Sequence, residues 1–148
     1  MAKIKKIITN SFIETINIGI ELGKKLPKGS VIAFFGSLGA GKTTLTKGIV
    51  EGVTSSKNIE VISPTFTYLN IYNPKHPIYH FDLYRIKNKN HFYAMGFEEY
   101  FSSEGICLIE WAENIKEILP KNTIIIKLKH ICENQREISI INQNNLEL

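Results

Sequence analysis

The chain has 148 residues, of which 43% are hydrophobic and 22% charged, and a formal net charge of +4. That length supports one core and is short for two ordinary domains, and the balance excludes a disordered or membrane-embedded chain. The positive charge favours anionic partners such as nucleotides or RNA, but the lysines are scattered along the chain, so a solvated surface is the weightier reading of it.

In chain order, the segment up to Thr9 alternates polar and apolar residues like an edge strand. It holds no apolar run long enough for a signal peptide or a membrane span, so a cytoplasmic protein is expected. Ser11 followed by Glu14 has the form of a capping box opening a helix through Leu26, with Ile13, Ile16, Ile20 and Leu26 expected on its buried face. Lys28-Gly29 ends that helix, and Val31–Phe35 reads as a fully buried strand. The spacing of Leu45, Ile49 and Val53 predicts a second helix from Lys42, ending in the loop at residues 55–58. Strands are expected at Thr67–Tyr72 and Pro77–Asp82, a helix over His91–Phe101, a turn at Gly105 and a buried strand at Ile106–Ile109. Thr123–Ile131 and Arg136–Asn142 read as a hairpin at one sheet edge, followed by a polar tail expected to fray. Cys107 and Cys132 fit a reducing compartment, and neither a disulfide nor a metal site is expected of them.

The chemistry concentrates in Gly36-Ser37-Leu38-Gly39-Ala40-Gly41-Lys42-Thr43, followed by Thr44. It matches the pattern G-x-x-x-x-G-K-[ST], and it lies after a buried strand and before a helix, as phosphate binding requires. The glycines let backbone N–H groups approach phosphate oxygens, and the helix N-terminus adds partial positive charge. ATP with Mg²⁺ is the expected ligand pair, Lys42 reaching the β- and γ-phosphates and the Thr43 hydroxyl ligating the metal. The expected fold is accordingly a three-layer α/β P-loop NTPase domain spanning residues 1–148, with a central mostly parallel sheet and antiparallel edge strands.

Mg²⁺ in such sites needs a carboxylate at the end of a neighbouring strand, and Asp82 closes one such strand; capping the following turn is its other reading. Glu110 closes a second and is a candidate to orient or deprotonate the attacking water, with a metal-linked water or a helix cap as alternatives. Trp111 flanks either the nucleotide or the core. Ser63-Pro-Thr-Phe66 reads first as a turn, and second as a loop that senses the γ-phosphate.

Gly36–Thr44, Ser63-Pro-Thr-Phe66, His80-Phe-Asp-Leu-Tyr-Arg85 and Ile109-Glu-Trp111, in that order and spacing, resemble the TsaE family, also called YjeE. The resemblance runs from the helix around Glu14-Thr15 to about Leu119. It implies an ATPase needed in bacteria for threonylcarbamoylation of the adenosine beside the anticodon of certain tRNAs. The family works with TsaD and TsaB, and ATP hydrolysis is thought to reset that complex between cycles; contact with tRNA is expected through those proteins. The same resemblance gives Lys42 and Thr43 the phosphate and Mg²⁺ roles and Asp82 a second metal-side role. It makes Glu110 and Trp111 functional and places Thr15 near the base. Two departures stand out: Ser37 occupies a position where the family usually carries an acidic residue, and the helix entered around Asn90-His91 lacks another.

Among rivals, a small GTPase commonly uses an Asn-Lys-x-Asp segment, and Asn88-Lys-Asn-His91 lacks the aspartate. A small-molecule kinase usually needs an arginine-bearing lid, and this chain has only Arg85 and Arg136. A non-hydrolysing module, in which ATP biases association with a partner, is the alternative of a different class.

Overall fold

Seven strands form one sheet in the order β1-β7-β6-β2-β5-β4-β3. They are β1 (Lys3–Thr9), β2 (Val31–Phe35), β3 (Leu69–Tyr72), β4 (Ile78–Asp82), β5 (Ile106–Glu110), β6 (Ile124–Cys132) and β7 (Gln135–Asn142). The helices are α1 (Phe12–Lys25), α2 (Lys42–Thr54) and the short α3 (Lys89–Ala94), with 3₁₀ helices at Phe97–Ser102 and Ala112–Ile118. This computed structural model describes residues 2–37, 39–143 and 147. Leu38 and most of the tail expected to fray lie outside the described residues.

Strands β6, β2, β5 and β4 run parallel; β3 pairs antiparallel with β4 on one side and β7 with β6 on the other, and β1, antiparallel to β7, runs in the direction of the central strands. Alternation within the buried strands sorts side chains onto two faces. Ile32, Phe34, Ile106 and Leu108 pack with Leu22 of α1 and Leu45 and Ile49 of α2. Val31, Ala33, Cys107 and Ile109 face the opposite way, toward Phe92, Phe97 and Ile115. Two covered faces make the expected three layers. Because the central strands are parallel, β2, β4 and β5 deliver their carboxyl ends to one edge of the sheet, where such folds bind ligands.

Four local expectations are corrected. The buried face of α1 is Thr15, Gly19, Leu22 and Gly23; Ile13 is exposed, and Ile16, Ile20 and Leu26 are half-buried. The reason is backbone contact, since a Cβ on Gly48 of α2 would fall on the Ile16 carbonyl oxygen and lie 2.9 Å from Gly19 Cα. Two helices that close cannot place branched side chains between them. The helix expected over His91–Phe101 is two short pieces, because Gly96 adopts φ +72° between them. The β6–β7 hairpin does not close the sheet edge: β1 pairs along the whole length of β7 and is itself the edge. Strands β3, β4 and β6 begin one or two residues later than expected, at Leu69, Ile78 and Ile124.

Ser11 caps α1 as its spacing with Glu14 requires: its hydroxyl accepts from the Glu14 N–H at 3.1 Å, while the Glu14 carboxylate accepts from the Asn10 N–H. Among the described residues no helix is long and apolar enough to cross a membrane.

Candidate active site

The strand-to-helix loop opens on a cleft of about 590 Å³, walled by the ends of β4 and β5, the start of α1 and the tip of the β6–β7 hairpin. Gly41 caps α2 with φ +102° and no side-chain bond to the first turn, so the N–H groups there are available to a ligand. Lys42, the first residue of the helix, is 7% exposed. Its Nζ donates to the Gly36 carbonyl at 2.7 Å and lies 3.7 Å from the centroid of the Trp111 ring, a cation–π contact. Burial lowers the Lys42 pKa, against the opposing pull of Glu113, Glu110 and Asp82.

Glu110 ends β5 and is 2% exposed. Its Oε1 accepts from the Thr43 hydroxyl at 3.0 Å and its Oε2 from the Ser63 hydroxyl at 2.7 Å, while the two hydroxyls stand 2.7 Å apart. Burial by itself pushes the Glu110 carboxyl upward, but neighbouring His80 and the Ser63 and Thr43 hydroxyls outweigh it and leave the pKa lowered. Asp82, beside Glu110 in the register of β4 and β5, is 3% exposed. Its Oδ2 accepts from the Thr65 hydroxyl at 3.2 Å and its Oδ1 from the Tyr84 N–H at 3.0 Å, so it faces the cleft and caps the turn at once.

The structure therefore brings Lys42, Thr43, Thr44, Asp82, Glu110 and Trp111 to one cleft, together with Gly39, Gly41 and Thr15. Trp111 sits on Lys42 in a left-handed backbone, φ +58°, and packs on Tyr84 at 5.0 Å between ring centroids. Thr15 also lines the cleft, its hydroxyl 2.8 Å from that of Thr9. Ser37 is exposed, its carbonyl accepting from the Ala40 N–H at 3.1 Å, and Ala40 is buried. The Gly36 N–H is 3.4 Å from the Glu113 carboxylate. Ser63 and Thr65, read first as turn residues, are the hydroxyls that hold the two carboxylates.

Sequence reasoning missed Phe12, Glu133 and Asn134, which also line the cleft. Phe12 carried a signal, an aromatic side chain at the first position of a helix whose apolar stripe does not need it, and it is 58% exposed. Arg136 also lines the cleft, but its guanidinium donates to the carbonyls of Cys132, Glu133 and Gln135 and so braces the hairpin turn.

The parallel sheet, the glycine loop between β2 and α2 and the paired carboxylates at the adjoining strand ends define a P-loop NTPase-type domain. Residues 9–138 match the family described as "Threonylcarbamoyl adenosine biosynthesis protein TsaE". The chain belongs to the TsaE family. It is similar to the tRNA threonylcarbamoyladenosine biosynthesis protein TsaE of Treponema pallidum, 35% identical over 91% of this chain and 98% of that one. The Rickettsia prowazekii protein of the same name is 41% identical over 93% of this chain and 94% of its own. Among solved structures, the crystal structure of YdiB from Bacillus subtilis superposes with a TM-score of 0.79 at 36% identity, covering 98% of this chain and 89% of that one.

Proposed function

We propose that this protein binds ATP with Mg²⁺ and hydrolyses it slowly by itself, and that turnover drives the cycling of a TsaB–TsaD complex that modifies tRNA to threonylcarbamoyladenosine. The observation that carries the reading is the Thr43–Glu110 contact: a helix-N-terminal hydroxyl held by a buried carboxylate, one residue after a buried lysine. The names and family of the relatives support the pathway, and contact with tRNA is assigned to the partner proteins. A cytoplasmic location suits that role.

In this reading the first-turn N–H groups of α2 and Lys42 bind the phosphates, Lys42 exchanging its Gly36 carbonyl for phosphate oxygens. Thr43, Asp82 and Glu110 supply only oxygen donors, the chemistry that suits Mg²⁺. When bound, that ion neutralises phosphate charge as the γ-phosphoryl group leaves. Both Glu110 oxygens already accept from hydroxyls, so Glu110 orients Thr43 and Ser63 toward the cleft. Asp82, on the Thr65 side, is the better placed of the two to meet a water or the metal shell. Trp111 limits the directions Lys42 can take.

The test is ATP hydrolysis by the purified protein, alone and with TsaB and TsaD, against Lys42→Ala. Turnover stimulated by the partners and lost in the variant is the expected result. ATP binding without turnover in either condition would replace this reading with a binding switch and direct attention to Ser37.

A further inference from the structure

Tyr72, His80 and Glu110 form a buried line across β3, β4 and β5. The Tyr72 hydroxyl lies 2.9 Å from His80 Nδ1 and 3.3 Å from the Ile62 carbonyl. His80 is fully buried, and its Nε2 stands 3.7 Å from Glu110 Oε1, with no hydrogen-bond partner among the described residues. At 3.7 Å the pair is close but not bonded, and a buried ring nitrogen left in that state is costly. A histidine that merely filled the core would be replaced by an apolar side chain at no such cost.

Counting protons shows what the nitrogen serves. Thr43, Ser63 and Glu110 make three short oxygen contacts, and with Glu110 ionised only two hydroxyl protons are available to fill them. When Thr43 gives its proton to Ser63 and Ser63 gives its own to Oε2, Oε1 is left without a donor. His80 Nε2 is the ring nitrogen facing that oxygen. The tautomer follows from where the one Tyr72 hydroxyl proton goes: given to Nδ1, the shorter contact, it leaves the ring proton on Nε2, and given to the Ile62 carbonyl it leaves the ring proton on Nδ1.

We propose that His80, oriented by Tyr72, is a positioning residue for Glu110. Its Nε2–H serves Oε1, so the carboxylate keeps its place while the Thr43 hydroxyl turns to the nucleotide. The inference rests on the cleft being the nucleotide site. It assigns no chemical step to His80 and needs only a shift of the Glu110 carboxylate by less than about an ångström to close the bond.

The first readout is independent of activity: long-range nitrogen–proton correlation spectra of ¹⁵N-histidine-labelled, nucleotide-free protein, with His80 assigned from His80→Gln. The expected result is a single Nε2–H tautomer for His80, lost or mixed in Tyr72→Phe, which keeps the aromatic ring in the core. The second is steady-state ATP turnover of Tyr72→Phe, expected to fall roughly ten-fold in kcat with KM within about two-fold. His80→Gln, whose amide can still donate toward Oε1, is expected to retain more kcat than His80→Leu. An Nδ1–H tautomer in the wild-type chain, or unchanged kcat in both Tyr72→Phe and His80→Leu, overturns the proposal. If the wild-type chain shows no turnover dependent on Lys42, the functional reading falls by itself, and the tautomer alone then decides the Tyr72–His80 pair.

Discussion

Asp82 and Glu110 close adjacent parallel strands as register partners, yet they hold different hydroxyls: Glu110 those of Thr43 on α2 and of Ser63, Asp82 that of Thr65, two residues beyond Ser63 in the loop before β3. Two carboxylates so close, with separate partners, have separable roles, and substitution distinguishes them. Glu110→Gln places an amide donor where Thr43 and Ser63 both donate, so one of these hydroxyls must turn away. Turnover is expected to fall by roughly 10²-fold while ATP affinity changes only a few-fold. Fluorescence titration with ATP beside the hydrolysis assay checks this, and a parallel loss of binding and turnover would contradict it.

Asp82 carries two loads, and Asn and Ala separate them. Asp82→Asn keeps an acceptor for the Tyr84 N–H, so the turn survives and stability should stay within about 0.5 kcal/mol. Asp82→Ala removes that acceptor and is expected to cost about 1 kcal/mol in urea unfolding. Both lose the carboxylate charge, and both should need several-fold more Mg²⁺ for half-maximal turnover, to roughly the same extent. Unchanged Mg²⁺ dependence in both variants would reduce Asp82 to a turn cap.

Much of this was legible because the informative residues are local signals. Apolar runs that end in Asp82 and Glu110 mark strand ends, and the glycine loop between Phe35 and Lys42 marks the site between them. What was not legible depends on distant partners. The isoleucines of α1 follow the helical period, but the face toward α2 is set by Gly19 and Gly23 meeting Gly48 and Gly52, and glycine carries no hydrophobic signal. The pairing of β1 with β7 joins residues more than a hundred positions apart and leaves no mark in either segment. Ser63, Thr65 and His80 look like turn or core residues until the strands bring Glu110 and Asp82 beside them.

The α1–α2 contact makes its own prediction. A Cβ on Gly48 would fall on the Ile16 carbonyl, and both sides of the clash are helix backbone, which yields little. The helix propensity gained by Gly48→Ala, up to about 1 kcal/mol, should therefore be overridden by overpacking of about 1–3 kcal/mol or more. Denaturant unfolding should show a lower midpoint at unchanged slope; a stabilised variant would mean that the helices separate easily.

Cys107 offers a pH test far from the cleft. It is fully buried in β5, and burial raises its thiol pKa to about 12 from an ordinary 9.0. The folded chain then keeps this proton where the unfolded chain has released it, so more protons are bound in the native state between those values. The stability tied to Cys107 is present in full below pH 9.0 and is lost as pH rises toward about 12, at a limiting slope of about 1.4 kcal/mol per pH unit. Lysine and tyrosine titration in the same range cancels when wild type is compared with Cys107→Ala at each pH. Their stability difference should hold constant from pH 7 to 8.5 and shrink above it, and a difference that stays constant to pH 11 would show that the thiol ionises as readily folded as unfolded. Alkylation gives the same answer another way: at pH 8 the native protein should react at the exposed Cys132 alone, and the denatured protein at both thiols.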